Sequence, residues 1–333
     1  MHHVLITFSP RWFNTVLMDE DIERMSKAVK VTKAELWGKG EDELIAALNK
    51  AGADIHMTCW GSPITTPKVM KGAPQYKYMV HAAGGVRSQV SREAIEAGML
   101  VTNWGNVTAA STAEGAFAMT FALLRNYEFM VDWTRRDRLY WETPRRDECL
   151  FDKTVGLHGL GAIAQEYAKF LQPFGCKVSA YSPHVPDSIF NELGIRRAKS
   201  LEELYSSNRI ISCHAANVPA NYRIVNAKLL AMIEAGGFFI NTSRGQVVDH
   251  DALVAEVKSG RLFAALDVFD EEPLSPDSPL RDIPGLFIIP HRAGPTPDRK
   301  RDMGAHAVDN VLAYIAGKPV DGVVDVKKYD LMT

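Results

Sequence analysis

The feature that most restricts how this chain can fold is a glycine-rich turn near its middle, Gly159-Leu160-Gly161-Ala162-Ile163-Ala164. A short apolar run, Thr154 to Leu157, leads into the turn and reads as a buried strand. A segment with helical spacing, Ile163 to Leu171, leads out of it. Strand, Gly-x-Gly turn and helix, in that order, form the phosphate-cradling opening of a dinucleotide-binding unit. The first glycine permits the tight turn and the second lets the backbone approach a pyrophosphate. The helix start then offers free N–H groups and the positive end of its dipole. At the third position, Ala164 keeps helix and strand almost as close as glycine would. About 150 of the 333 residues precede the turn, enough for a further domain.

Composition removes other classes. Hydrophobic content is 46% and charged content 23%, as in ordinary globular chains. A net charge of -2 gives no electrostatic reason to expect nucleic acid or an anionic membrane as partner. The four cysteines, Cys59, Cys149, Cys176 and Cys213, lack metal-type spacing and read as reduced packing residues. The N-terminus enters a strand pattern directly, without the signature of a signal peptide, and the longest apolar stretch, Ala116 to Leu124, is too short to span a bilayer. The expectation is a cytoplasmic protein without bound metal.

Before the turn, strands are expected at Val4–Phe8, Ala53–Thr58, Tyr76–His81 and Leu100–Asn103. They alternate with helices at Glu41–Ala51, around Val69 and Met70, and from a Ser91 cap to Gly98. A long helical pattern runs from about Thr108 to Arg125 and onward toward Tyr140. After the turn, strands follow at Lys177–Tyr181, Arg209–Cys213, Gly237–Asn241, Leu262–Leu266 and Leu286–Ile289, with a helix at Asp249–Gly260. A last amphipathic helix carries Met303, Ala307, Val308, Val311, Leu312 and Ile315 on one side, and is expected to return to the first domain. The fold expected is α/β, with two Rossmann-like or flavodoxin-like parallel-sheet domains. The nucleotide-binding domain, 106–296, is inserted into a discontinuous substrate domain, 1–105 plus 297–333.

In a doubly wound sheet, ligands bind beyond the carboxyl ends of the strands. Asn241-Thr242-Ser243-Arg244-Gly245 follows one strand, Asp267 and later Glu271-Glu272-Pro273 follow the next, and Pro290-His291-Arg292-Ala293-Gly294 follows the last. Alone, each residue has an ordinary reading: a surface arginine, a hydrogen-bonding loop histidine, a solvated acid. Together, on the edge that carries the glycine turn, they fit 2-hydroxy acid chemistry. Arginine grips a carboxylate with its planar fork. Histidine gives or takes the hydroxyl proton, and a carboxylate beside it orients the ring.

The stretches VGLHGLGAIA, FFINTSRGQVVDHDAL, AALDVFDEEPL and IIPHRAG resemble the D-isomer-specific 2-hydroxyacid dehydrogenases, with a fainter match in VTNWGNVTAASTAEGAFAM. That group includes glyoxylate/hydroxypyruvate reductases, D-lactate dehydrogenases and phosphoglycerate dehydrogenases. The resemblance covers residues 76 to 317 and is most specific over 150–295. It implies an NAD(P)-dependent enzyme acting on a small 2-keto or 2-hydroxy acid. Arg244 would bind the substrate carboxylate, His291 would be the acid/base, and Glu272, rather than Glu271, would pair with His291. Gly84 and Gly85 would hold the carboxylate through backbone N–H groups, in a cleft that closes before hydride transfer. The cofactor site would include Gly159, Leu160, Gly161, Ala162, Ile163, Ser182, His214, Ala215, Thr242, Asp267 and Gly294. A homodimer is implied, through nucleotide-domain helices and the segment Asp132–Trp141 with Trp133 and Trp141.

The chain departs from this pattern in places. Ser182 stands where NAD-preferring members have an aspartate, which removes the repulsion of a 2′-phosphate. No arginine follows immediately, and the direction of Arg196 and Arg197 is open, so NAD is placed slightly ahead of NADP. Arg87 replaces an aspartate and is either a structural change or a reader of a second acidic group on the substrate. Trp60 either limits the pocket or packs, and Arg292 has no assigned role. A rival reading is an NAD(H)-gated protein-binding module like the C-terminal-binding-protein corepressors, with little turnover. A formate dehydrogenase fits less well, because that subgroup has glutamine where this chain has Glu272.

Overall fold

The structure is a computed structural model that describes residues 2–136 and 146–331. The chain forms two compact units, Met1–Thr108 with Pro295–Thr333, and Ala109–Gly294. Each is built on a parallel sheet, the architecture expected from the alternating pattern.

The first unit holds β1 (His3–Ile6), β2 (Lys30–Lys33), β3 (Ile55–Thr58), β4 (Tyr78–His81) and β5 (Leu100–Thr102), in the order β2-β1-β3-β4-β5. Val4 and Ile6 face one cluster with Met57 and Val80, while Leu5 and Met79 face another. The helix Arg301–Ile315 packs Met303, Ala307, Val308 and Val311 into the first of these clusters. Both faces are covered, so the strands read as near-continuous apolar runs.

The second unit holds β6 (Thr154–His158), β7 (Lys177–Tyr181), β8 (Arg196–Arg197), β9 (Ile210–Cys213), β10 (Gly237–Asn241), β11 (Leu262–Leu266) and β12 (Leu286–Ile288). The order is β12-β11-β10-β9-β6-β7-β8, and every pairing is parallel. From β6 the chain builds outward to β8, then returns to the other side of β6 with β9. The order therefore reverses between β6 and β9, which makes the carboxyl ends of these two strands the topological switch point. Alternate residues of β10 enter opposite cores. Phe238 and Ile240 join the core cluster that holds Ala113 and Ala116 of the helix Ala109–Leu124, and Phe239 joins the one that holds Leu253 and Val257 of the helix His250–Lys258.

Two expectations change. The helical pattern running on toward Tyr140 is not one helix. It ends at Leu124 and restarts as Tyr127–Arg135, because Asn126 adopts the left-handed conformation (φ 52°) that asparagine tolerates better than most residues. Tyr140 and Trp141 lie outside the described residues. The strands β2 and β8 and the helices Asp19–Ser26 and Val326–Leu331 were not foreseen. Among the described residues, no helix is long and apolar enough to cross a membrane.

Candidate active site

The glycine turn follows β6 at the switch point. Gly159 has φ 98°, and its N–H donates to the Tyr181 carbonyl at 2.9 Å. A Cβ on Gly159 would lie 2.7 Å from the His214 carbonyl oxygen, so only glycine fits between the ends of β6 and β9. Gly161 precedes the helix Ala162–Leu171 and leaves its start without a side-chain cap. A Cβ there would meet nothing within 4 Å, so the backbone at Gly161 borders open space. Leu160 is buried against the core, while Ala162 and Ile163 begin the helix. This is the cradle that a pyrophosphate needs.

His214 and Ala215 flank the same turn. The His214 N–H donates to the His158 carbonyl at 2.8 Å, and its Nε2 lies 2.9 Å from the Ser212 hydroxyl. Burial lowers the His214 pKa to about 4. Beyond β7, Arg197 braces the turn that contains Ser182. Its Nε meets Asp187 at 2.7 Å, Nη1 donates to the Ser182 carbonyl at 2.8 Å, and Nη2 donates to the Val185 carbonyl at 2.5 Å. Its guanidinium also stacks 3.9 Å over the Phe190 ring. Of the two arginines whose direction the sequence left open, Arg197 thus turns to the β7 turn, while Arg196 pairs with Glu203 and donates to the Ser207 hydroxyl.

The second group of residues sits at the ends of β10, β11 and β12. Asn241 is fully buried and organises the Arg244 loop. Its Oδ1 accepts from the Ser243 N–H at 3.0 Å, and its Nδ2 donates to the Arg244 carbonyl at 3.0 Å. This asparagine was missed as a site residue; the readable signal was an Asn ending an apolar strand, a position suited to an Asx turn. The Arg244 and Glu272 loops press together at Gly245, where a Cβ would come within 2.0 Å of the Phe269 carbonyl carbon. Gln246 Nε2 adds a bond to the Asp270 carbonyl at 3.0 Å.

Arg244 Nη1 donates to the Ser243 carbonyl at 2.6 Å. Burial lowers the Arg244 pKa, and the charges of Glu272 and Asp267 oppose that shift. The guanidinium stays a cation. Glu272 uses both oxygens: Oε1 accepts from the Phe269 N–H at 3.0 Å, and Oε2 lies 2.6 Å from His291 Nδ1. Glu271 makes no such contact and is exposed. His291 has φ 51°, and its N–H donates to the Asp267 carbonyl at 2.8 Å. The bond at Nδ1 leaves Nε2 as the ring nitrogen available to a substrate.

Asp267 is almost wholly buried, which pushes its carboxyl up to about 6. The Arg292 and Ala293 N–H groups and the charge of His291 act in the opposite direction. Arg292 thereby gains a place through its backbone. Thr242 is buried beside the same strand ends, and a Cβ on Gly294 would meet nothing within 4 Å. A cavity of about 490 Å³ opens beside Glu272 and His291, with Phe269, Leu274, Ile288 and Pro290 in its wall.

In the first unit, Gly84 and Gly85 form the turn after β4. The Gly84 carbonyl accepts from Asn103 Nδ2 at 2.8 Å. Arg87 is directed to the helix Val326–Leu331, where Nη2 donates to the carbonyls of Tyr329 and Asp330 at 3.3 and 3.1 Å. That placement matches the structural reading of Arg87. Trp60 packs between Trp12 and Trp104, with ring centroids 4.8 and 6.2 Å away.

Known proteins share this arrangement of sequence. The profile of the D-isomer specific 2-hydroxyacid dehydrogenase, NAD binding domain, matches residues 117–293. A glyoxylate reductase of Aeropyrum pernix is 30% identical over 326 residues, covering 95% of this chain and 96% of that protein. A D-3-phosphoglycerate dehydrogenase of Methanocaldococcus jannaschii is 26% identical over 98% of this chain, which spans only 60% of that protein's length. Among solved structures, D-mandelate dehydrogenase of Rhodotorula graminis superposes with a TM-score of 0.86 over 97% of both chains; at 21% identity this is a likeness of fold. A profile match over more than half the chain, across the segment that carries the glycine turn, Arg244, Glu272 and His291, places the chain in the D-isomer specific 2-hydroxyacid dehydrogenase family.

Proposed function

We propose that this protein interconverts small 2-keto acids and D-2-hydroxy acids with a nicotinamide dinucleotide, and takes NAD(H) ahead of NADP(H). The observation that carries the reading is the His291–Glu272 pair, 2.6 Å apart on neighbouring strand ends. Arg244 sits on the next strand end, on the edge that holds the glycine turn.

Gly159, Gly161 and the start of the helix Ala162–Leu171 would hold the pyrophosphate, with Leu160, Ala162 and Ile163 forming the turn's wall. Ser182 would face the adenosine ribose, and His214, Ala215, Thr242, Asp267 and Gly294 would line the path to the nicotinamide. The bound nicotinamide supplies or accepts the hydride at substrate C2. Arg244 would bind the substrate carboxylate and polarise the adjacent carbonyl, with the backbone N–H groups of Gly84 and Gly85 as further carboxylate donors. In reduction, His291 Nε2 would give its proton to the carbonyl oxygen. In oxidation, it would take that proton back from the hydroxyl. Glu272 would hold the ring through Nδ1 and balance its charge when it is protonated.

The test is nicotinamide absorbance decay with purified protein. NADH and NADPH are run separately against glyoxylate, hydroxypyruvate, pyruvate and a dicarboxylic 2-keto acid. The expected result is fast turnover with at least one acid, abolished in His291→Ala. Arg244→Ala should lower kcat/KM by about a hundredfold or more, since it removes charged hydrogen bonds. Tight NADH binding with no turnover on any acid would overturn the reading and favour a nicotinamide-gated binding module.

A further inference from the structure

The Gly84–Gly85 turn is gripped on both flanks by one stretch of chain near the C-terminus. On one flank, Val324 N–H donates to the Val101 carbonyl at 2.9 Å, and Thr102 bridges Val323 in antiparallel fashion. The Asn103 N–H donates to the Gly322 carbonyl at 3.0 Å. Asn103 in turn donates from Nδ2 to the Gly84 carbonyl, and the neighbouring Trp104 N–H donates to the Ala83 carbonyl at 3.1 Å. Contact here is close, for a Cβ on Gly84 would lie 2.3 Å from the Trp104 ring.

On the other flank, Val86 to Val90 forms a helical turn, in which the Gln89 and Val90 N–H groups donate to the Val86 carbonyl. Arg87 leaves this turn to meet the last carbonyls of the helix Val326–Leu331, where a cation suits both the orphan acceptors and the helix dipole. Tyr329 answers from the helix: its hydroxyl donates to the Val90 carbonyl at 3.2 Å, and its ring lies 5.6 Å from the Arg87 guanidinium. Arg92 adds two bonds to the Asp330 carboxylate, at 2.9 and 3.2 Å.

We propose that the segment from Asp321 to Leu331 is the positioning element of the Gly84–Gly85 turn, with Arg87 as its coupling residue. The proposal rests on the reading of that turn as a substrate-carboxylate site. Backbone donors bind an anion well only when they are held in place beforehand. The C-terminal segment holds them by fixing the residues on each side, through Gly322 and Asn103 before the turn and Tyr329 and Arg87 after it. Arg87 acts through the turn and does not touch substrate.

Two measurements test this on the full chain. The first is amide hydrogen exchange of Gln89 and Val90, whose N–H groups donate to the Val86 carbonyl after the turn, and of Trp104, whose N–H donates to the Ala83 carbonyl before it. Arg87→Ala and Tyr329→Ala should each accelerate it, and Arg87→Lys should restore part of the protection. Unchanged exchange overturns the clamp. The second is KM against kcat for glyoxylate and for a dicarboxylic 2-keto acid. Arg87→Ala should raise both KM values by the same factor, about tenfold, with kcat within about twofold. The double variant with Tyr329→Ala should be no worse than either single variant, because the two residues serve one contact. A KM increase confined to the dicarboxylic acid would make Arg87 a direct reader of substrate and overturn the proposal, as would no increase at all. If the wild type turns over none of the four acids, the proposed function fails, while the exchange measurement still decides the clamp.

Discussion

Glu272 divides its two oxygens between its own turn and the imidazole of His291, so its position is fixed before any ligand arrives. Its role in this site depends on charge more than on shape. Glu272→Gln keeps the size and one acceptor but removes the counter-charge to a protonated ring. Turnover of the preferred keto acid should fall about 10- to 100-fold with KM within about threefold, as expected when an interaction matters mainly in the transition state. Steady-state kinetics in both directions would check this, and unchanged turnover would remove Glu272 from the proposed chemistry. Ser182 poses a separate question. Its carbonyl is held by Arg197, so its side chain can be exchanged while the turn stays in place. Ser182→Asp should lower kcat/KM with NADPH by about tenfold or more and leave NADH use intact, because a carboxylate there repels a 2′-phosphate. Equal effects on both cofactors would mean that Ser182 does not face the ribose.

At the level of elements, the central strands were legible because both sheet faces are covered, leaving apolar runs between punctuating turns. Two of the four edge strands were not. In β2, Lys30-Val31-Thr32-Lys33 has no fully buried residue, and β8 is the two-arginine pair Arg196-Arg197, so neither carries a hydrophobic signal. The three strand-end residues Arg244, Glu272 and His291 were readable because their loops follow strands of one parallel sheet. What a linear pattern cannot express is how those loops touch. Asn241 and Gly245 hold the Arg244 loop against the Phe269–Glu272 loop, and that dependence shows only in three dimensions. Arg87 had two readings in the sequence because its partner, the helix Val326–Leu331, lies more than two hundred residues away. Gly245→Ala tests the loop contact. The added methyl must displace the Phe269 backbone, at a cost of about 1–3 kcal/mol in stability. Urea unfolding would read that loss. Turnover should fall further than stability alone explains, since the Arg244 and Glu272 loops move apart; full activity in the variant would show that their spacing is not critical.

Across the whole molecule, the four histidines that burial lowers most make stability depend on acid. In the five-stranded unit, burial lowers His56 and His81 to about 3; in the seven-stranded unit, it lowers His158 and His214 to about 4. Each ring still has a neutral hydrogen-bond partner: Thr7 for His56, Thr58 for His81, Tyr205 for His158 and Ser212 for His214. In the unfolded chain, each would take a proton near 6.5. Between the folded and unfolded values the unfolded state binds more protons. Stability is therefore fully present above about 6.5 and falls as the pH drops below it, by up to about 1.4 kcal/mol per pH unit for each ring. Asp267 runs the other way. Its folded carboxyl, raised to about 6 from 3.8, makes the folded state bind more protons between those values, so its contribution is lost as the pH rises. Asp21 and Glu128, also raised by burial, act with Asp267, while His3 and His250, also lowered by burial, act with the four imidazoles, and the six rings leave acid destabilising. The urea midpoint should fall steadily from pH 7 to pH 5, in whichever transition reports each unit. His56→Gln keeps a polar partner for Thr7 and cannot titrate, so it should flatten the dependence of the first unit by about 1.4 kcal/mol per pH unit. A midpoint that stays constant over this range, or a His56→Gln variant with the full wild-type slope, would show that these rings are already protonated in the folded protein or are exposed to water.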